Sequence, residues 1–419
     1  MKGNSVHEAM LRGCRALDLT DETGFLAGYI LGALGVDVIK VERPGGDASR
    51  RIGPFFKDMP HPEKSLYWFS YNSNKRAITL DYTTRDGKEI FKKLAGRSDF
   101  VIESGKPRYL EGLGLGYTAL SRINRGLIVV SITPFGQTGP YRDHTGSDMV
   151  MMGMGGELYL TGDSDRPPVN VSIPQSWLHG AADAAVGALL AYYHREETGE
   201  GQHVDVSMQQ SIAWFLATTI PYWEMDGTIL TRVGTFRSGS SSGTLQRQVW
   251  ECKDGYAFFF MIGGIQGAKT CRQLVRWMDE EGRADLYLLN MEWENFDMAT
   301  VTQEEIDRIS RPIEDFLKLH TKKEILEAAI ERSMSICPLF SMEDLIHDDN
   351  LRERGFWNEI HHPELQTSIP YPGHFIRSSL GEVGTRFRAP LIGEHNAEVY
   401  GEIGIHGEKL VSLKEAGII

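Results

Sequence analysis

At 419 residues, with 41% hydrophobic and 24% charged side chains, the chain has the make-up of a globular protein large enough for more than one domain. A formal net charge of −13 excludes the basic footprint of a nucleic-acid or anionic-membrane binder, so any anionic ligand must be held by local features working against that field. No run approaches the roughly 18 apolar residues that span a bilayer, and no membrane partner is expected.

The opening MKGNSVHEAMLRG has no apolar h-region, so it does not read as a signal peptide, and a cytoplasmic location is expected. Cys14–Leu19 is a short apolar run suited to a buried strand. FLAGYILGALG follows, with Leu26, Ile30, Ala33 and Leu34 at helical spacing, Thr20 or Asp21 as the expected N-cap and Gly35 as the stop. Val36–Glu42 is a second strand, which makes the opening β-α-β, the unit of a parallel sheet. The alternation continues with Ala77–Leu80 as strand, Thr84–Ala95 as helix, and Phe100–Ile102 and Leu127–Ile132 as strands. This pattern predicts a doubly wound α/β domain.

The loops between these elements are chemically pointed: Glu42-Arg43-Pro44-Gly45-Gly46-Asp47, Asn74-Lys75-Arg76 and Glu103-Ser104-Gly105-Lys106-Pro107. The run Gly112-Leu113-Gly114-Leu115-Gly116 does not sit directly between a strand and a helix, as a dinucleotide fingerprint requires, and reads as a turn. A Pro-rich, β-branched stretch, Pro167–Ile173, then meets a long helical pattern over Ala181–Tyr193, and Gln202–Met208 alternates like a strand. Beyond residue 225 the texture changes. Ser238–Gly243 reads as a flexible loop, Lys253-Asp254-Gly255 as a hairpin turn, and Lys269–Glu281 and Thr302–Lys318 as helices. The expected organisation is a large domain over 1–224, a small α+β domain over 225–340, and a return to the large domain over 341–419. Cys14, Cys252, Cys271 and Cys337 lie far apart without metal-ligand spacing, so they read as reduced thiols, and no metal is expected.

Five segments taken in order carry a resemblance: LGVDVIKVERPGGD (34–47), NSNKRAITLD (72–81), SITPFGQTGPYRD (131–143), ETGEGQHVDVSM (197–208) and RAPLIGEH (388–395). Together they identify the chain as a member of the class III CoA-transferase family, the formyl-CoA and carnitine CoA-transferase type. The resemblance implies a Rossmann-like large domain, a smaller α+β domain and two interlaced subunits. It also implies coenzyme A thioesters as substrates, with no permanently bound cofactor. Family enzymes move CoA from an acyl-CoA to a free carboxylate through an aspartate that becomes an anhydride and then a thioester, a covalent route that splits one hard step into two.

Counting back from the Thr198–Gln202 motif, the position the family gives to that aspartate is Trp177. Indole cannot form an anhydride, so no catalytic residue is expected on this chain. Two fallback carboxylates stand nearby. Asp183 lies six residues on, about 600° around a helix and so on a different face from Trp177; Asp148 follows Gly146-Ser147. The resemblance points to Arg43, Lys75, Arg76, Leu80 and Lys106 as CoA contacts. Against them stand Asp21 and Glu22, acids at a helix N-terminus, which would repel phosphates there. The site therefore reads as eroded.

The segment PQSWLHG without its aspartate is similar to the nucleophile-lacking subunits of heteromeric family members, such as those moving CoA from succinyl-CoA to benzylsuccinate in anaerobic aromatic degradation. A homologous, aspartate-bearing subunit is the implied partner. Three alternatives stand beside this reading. One is a self-sufficient homodimeric CoA-transferase using Asp148 or Asp183. Another is an acyl-CoA racemase, which would need a His/Asp pair; Ser147 occupies the position that branch gives to histidine, with His144 and His179 nearby. The third is a purely structural or regulatory protein. Trp177 itself reads as an apolar plug in the vacated site, with a pocket wall for an aromatic acid as the second reading.

Overall fold

The computed structural model describes residues 9–238 and 243–419; of the expected serine loop, 239–242 lie outside the described residues. The described residues form two compact units, one from 9–158, 170–225 and 349–419, the other from 159–169, 226–238 and 243–348.

The larger unit is built on six parallel strands: β1 (Arg15–Asp18), β2 (Asp37–Glu42), β3 (Lys75–Thr79), β4 (Phe100–Glu103), β5 (Ile128–Thr133) and β6 (His203–Ser207). Their order in the sheet is β3-β2-β1-β4-β5-β6. The inner strands β4 and β5 are buried at every position because both faces are covered, as a parallel sheet requires, whereas the edge strand β6 keeps His203 and Asp205 exposed. On one face pack α1 (Phe25–Ala33), a short α6 (Asp148–Met154) and a long α8 (Gln175–Thr198), against Ala16, Val38, Ile102, Val130 and Ile132. On the other pack α3 (Arg85–Ala95) and two C-terminal helices, α17 (Asn396–Glu402) and α18 (Gly407–Glu415), against Leu17, Ile39, Ile78, Val101 and Val129. Between these run α2 (Leu66–Asn72), single turns α4 (Tyr109–Gly112) and α5 (Tyr117–Leu120), and α9 (Met208–Phe215) and α10 (Thr219–Asp226), while the single turn α7 (Glu157–Leu160) has residues in both units.

Small residues set the spacing of α8. Gly180, Ala181, Ala184, Ala185, Ala188 and Ala191 form its buried face, and a methyl group at Gly180 would stand 2.9 Å from Met208 Cγ. Buried side chains this short let the helix axis approach the sheet closely. The segment Arg388–His395 folds so that α17 covers the edge strand β3: Ala77 N–H donates to His395 Nδ1 (3.1 Å), Thr79 N–H to Asn396 Oδ1 (2.9 Å) and Tyr400 Oη–H to Thr79 O (2.5 Å). Covering an edge in this way removes a template for unwanted strand pairing.

Several boundaries differ from expectation for local reasons. The helix α1 starts at Phe25 with Gly24 as N-cap and no side-chain cap. The expected cap Asp21 bonds Thr23 instead, accepting from its N–H (3.1 Å) and Oγ1–H (2.6 Å). Gly35 does end the helix, at φ 105°. Gly112–Gly116 is a turn between α4 and α5, with Gly114 at φ 74°. The helix α8 starts six residues before the expected Ala181 and puts Trp177 inside its first turn.

The smaller unit holds a two-stranded ribbon, β7 (Phe236–Ser238) with β8 (Leu245–Arg247), and a sheet of β9 (Val249–Cys252), β10 (Gly255–Phe258) and β11 (Cys337–Pro338). Gly255 pairs with Cys252, so the hairpin turn is Lys253-Asp254, one residue earlier than an Asp-Gly turn would place it. Helices α11 (Gly264–Glu280), α12 (Leu286–Leu289), α13 (Gln303–Leu317) and α14 (Lys322–Arg332) enclose a separate core around Trp250, Phe259, Met278, Trp293 and Phe316. Capping boxes Thr302/Glu305 and Thr321/Glu324 start α13 and α14. Two short helices, α15 (Met342–His347) and α16 (Asp349–Glu353), lead back to an antiparallel pair in the larger unit, β12 (Trp357–His362) with β13 (Thr367–Pro372).

Candidate active site

In an open parallel sheet, ligands bind beyond the carboxyl ends of the strands where the strand order reverses. Here that point lies between β1 and β4. The loops leaving these strands are tied together: Asp21 N–H donates to Ser104 Oγ, and Ser104 Oγ–H donates to Asp21 Oδ1, both at 2.8 Å. Beneath them Asp18, fully buried at the end of β1, accepts from Lys75 Nζ (2.8 Å) and stands 3.5 Å from Lys40 Nζ. Burial alone would raise the Asp18 pKa, but the two lysines, with the Lys75 and Thr20 hydrogen bonds, overcome this and hold it well below the carboxylate range. Burial pushes Lys75 down, with Asp18 opposing.

The first turn of α8 meets this region. Trp177 is half-buried against the core and, with Glu22, Leu26, Tyr67, Tyr71 and Pro174, encloses a cavity of about 10 Å³, room for about one water. Glu22 is the one carboxylate on that wall, and its Oε2 accepts from Ser49 Oγ–H at 2.5 Å. Burial raises the pKa of both tyrosine phenols, so they stay protonated donors. Pro174, the N-cap of α8, supplies no side-chain cap. Asp148 takes that role from α6: its Oδ1 accepts from Ser176 N–H (2.9 Å) and Ser176 Oγ–H (2.8 Å), and its Oδ2 from Asn170 Nδ2–H (3.4 Å). A carboxylate at a helix N-terminus is stabilising and occupied. Asp183 lies on another face of α8 from Trp177, as the helical spacing requires. The two histidines pack among rings, His179 edge-on to Phe215 (centroids 4.1 Å) and His144 edge-on to Tyr141 (5.4 Å).

The residues expected to contact CoA separate into two groups. Lys75 is buried and donates to Asp18, Phe25 O (3.1 Å) and Asn72 Oδ1 (2.9 Å); Arg76 pairs with Asp37, Glu398 and Glu402. Both are committed to internal partners, and a phosphate would have to displace carboxylates to reach them. The Leu80 side chain is fully buried in the core under α3. Arg43 and Lys106 are exposed, on the loops after β2 and β4. Arg43 acts on Asp81, whose carboxyl is held low first by the Thr83 hydroxyl and N–H and then by this guanidinium. The Glu42–Asp47 loop is itself organised from within: buried Arg50 forks onto Glu42 (2.7 and 2.8 Å), lies 3.9 Å from the centre of the Trp68 ring, and reaches Glu63 (2.8 Å).

Sequence reasoning did not single out one polar line across three strands. Glu103, the last residue of β4 and 6% exposed, accepts at Oε1 from Ser131 Oγ–H (2.6 Å), and Ser131 Oγ lies 2.8 Å from His203 Nε2 on β6. Burial lifts the Glu103 carboxyl to about 7, with the Ser131 bond opposing. The available signal was a pair of polar residues inside otherwise apolar strands. Among the described residues no group of three or more His, Cys, Asp or Glu side chains could hold a metal ion, and no helix is long and apolar enough to cross a membrane.

Comparison with known proteins agrees with this architecture. The sequence matches the model of CoA-transferase family III over residues 11–396. It is 33% identical over 408 residues to succinyl-CoA:(R)-benzylsuccinate CoA-transferase subunit BbsE of Thauera aromatica, covering 97% of each chain. It is 31% identical over 426 residues to a formyl-CoA:oxalate CoA-transferase of Streptomyces avermitilis, covering 98% of this chain and 99% of that one. Its fold is similar to that of a CAIB/BAIF family protein from Brucella suis, with a TM-score of 0.80 and 27% identity over 94% of this chain and 100% of the other.

Proposed function

This chain belongs to CoA-transferase family III, and on that premise we propose that it is the nucleophile-lacking subunit of a heteromeric CoA-transferase. The transferred group is CoA, taken from an acyl-CoA such as succinyl-CoA and given to an organic acid of the benzylsuccinate type. The observation that carries the reading is Trp177 in the first turn of α8, beside a cavity of about 10 Å³. An aromatic ring there leaves neither a carboxylate nor the volume for an anhydride. Asp148 is engaged by Ser176, and Asp183 lies on another face of the helix. The similarity to a protein described as a subunit supports a homologous, aspartate-bearing partner that performs the covalent step.

Apolar side chains on the larger unit support a covering chain. Val186, Leu190 and Tyr193 line one stripe of α8, with Trp214 and Phe215 on α9 and Trp223 and Met225 on α10, all more than half exposed. A soluble chain seldom leaves so much large apolar surface open to water. An interlaced arrangement with the partner would bury it. CoA thioesters are then substrates of the assembly, with no resident cofactor on this chain, and the assembly works in the cytoplasm. The test is co-expression with a homologous, aspartate-bearing chain, followed by native mass spectrometry and a CoA-transferase assay on each chain and on both. The expected result is a complex with equal numbers of the two chains, active only together. A homodimer of this chain that turns over succinyl-CoA unaided would overturn the reading.

A further inference from the structure

The line Glu103–Ser131–His203 has no part in the function proposed above, and its geometry is that of a relay. Glu103 and Ser131 face each other in the β4–β5 register, and His203 lies on the edge strand beyond, where the residue is exposed. Glu103 Oε2 is buried without a full hydrogen bond, under the loop that leaves β4, whose Gly105 N–H favours the carboxylate less than burial disfavours it; a methyl at Gly105 would sit 3.2 Å from Oε2. That loop carries Ser104, which spans the strand-order reversal to Asp21.

We propose that Glu103, Ser131 and His203 form a proton path from the floor of loop 104–108 to solvent, and that this loop lies closed over Glu103 only while its carboxyl is protonated. With Glu103 protonated, its O–H donates to Ser131 Oγ, whose own hydrogen points to His203 Nε2. Transfer of both protons along the line leaves a Glu103 carboxylate and a His203 imidazolium, which sheds its proton to water. Burial disfavours the resulting anion more than the Ser131 hydroxyl and the Gly105 N–H favour it. Glu111 on α4 opposes a negative charge at Glu103, burial keeps the nearby Tyr82 phenol neutral, and Tyr117 stacks on His203 (6.1 Å, 17°). Burial disfavours the imidazolium, while Asp205 on β6 and Glu111 on α4 favour it. Burial outweighs the help that the Ser131 hydroxyl and the Gly105 N–H give the ionised carboxylate, which regains hydration by loop opening. The raised Glu103 pKa is consistent with this arrangement.

The sign follows from linkage. The closed loop holds Glu103 at about 7, whereas an opened, solvated glutamate titrates near its ordinary value of about 4.3. Between those values the closed state binds the extra proton, so closure weakens as pH rises, by up to about tenfold per pH unit, and levels off above neutrality. Hydrogen exchange of residues 104–112 followed by mass spectrometry, corrected for intrinsic pH dependence, reads this directly. Protection should fall from pH 5 to 7 in the native chain and stay flat in Glu103→Gln. A carboxyl carbon resonance absent from the Glu103→Gln spectrum should titrate near neutrality, a readout that needs only the native chain to be folded at each pH. Flat protection in the native chain, or a Glu103 carboxyl titrating in the ordinary range, overturns the proposal.

Discussion

Replacing Asp148 separates a structural carboxylate from a chemical one. Its Oδ1 receives two hydrogen bonds from Ser176, at 2.9 and 2.8 Å, at the start of the 24-residue α8. Bonds to a charged acceptor contribute about 1.5–3 kcal/mol each, and loss of an N-terminal cap alone costs about 0.5–2 kcal/mol. Because the two bonds share one oxygen and are not additive, Asp148→Ala should cost about 3 kcal/mol. Asp148→Asn keeps an acceptor oxygen for Ser176 and gives up the charge at the helix terminus, a loss of about 1 kcal/mol. With a urea m-value of about 3 kcal/mol/M, the alanine variant should unfold roughly 1 M earlier and the asparagine variant about a third of that. Tryptophan fluorescence follows the transition, with Trp177 next to the lost contact. An Asp148→Ala chain with an unchanged midpoint but abolished CoA transfer would refute the reasoning and mark Asp148 as the acyl carrier.

Three further outcomes follow from the same contacts. Trp177→Asp alone should not give a self-sufficient transferase, because Lys75 and Arg76 remain committed to internal carboxylates; robust turnover by that variant as a homodimer would contradict this. Gly28→Ala should destabilise the larger unit by about 3 kcal/mol in chemical denaturation, since a methyl there overlaps Asp18 Oδ2 and stands 3.0 Å from Lys75 Nζ. Asp18→Asn should cost about 3 kcal/mol near neutral pH by leaving buried Lys75 without its carboxylate and buried Lys40 with Asp47 at 3.9 Å. The folded state depresses the Asp18 pKa, so its stabilisation is present above about pH 4 and is lost as pH falls further. The native chain should therefore lose stability more steeply than Asp18→Asn on acidification below pH 4, a comparison made by thermal melts across pH.

The parallel sheet was legible because its strands are buried on both faces and are punctuated by Gly and charged loops, so Val36–Glu42 and Phe100–Ile102 stand out as apolar runs. The first turn of α8 was hidden for a physical reason. Pro174 caps it without a side-chain bond, and the cap comes from Asp148, far along the chain, so no local signal marked the helix start. Trp177 was legible as a departure through the family motifs around it, whereas its seat against Tyr67 and Tyr71 needed the fold. At Lys75 and Arg76 the basic residues were legible but their partners were not, because those carboxylates arrive from β1, β2 and α17. The Glu103 line was hidden because its members lie on three separate strands and meet only in the folded sheet.

The central claim is that acyl and CoA groups never become covalently attached to this chain. Its most direct measurement is intact-protein and peptide mass spectrometry of the two-subunit complex, quenched during turnover with succinyl-CoA. The account predicts a CoA thioester on an aspartate of the partner and an unmodified mass for this chain. A thioester or acyl adduct on this chain, whether at Asp148, Asp183 or Glu22, would contradict it.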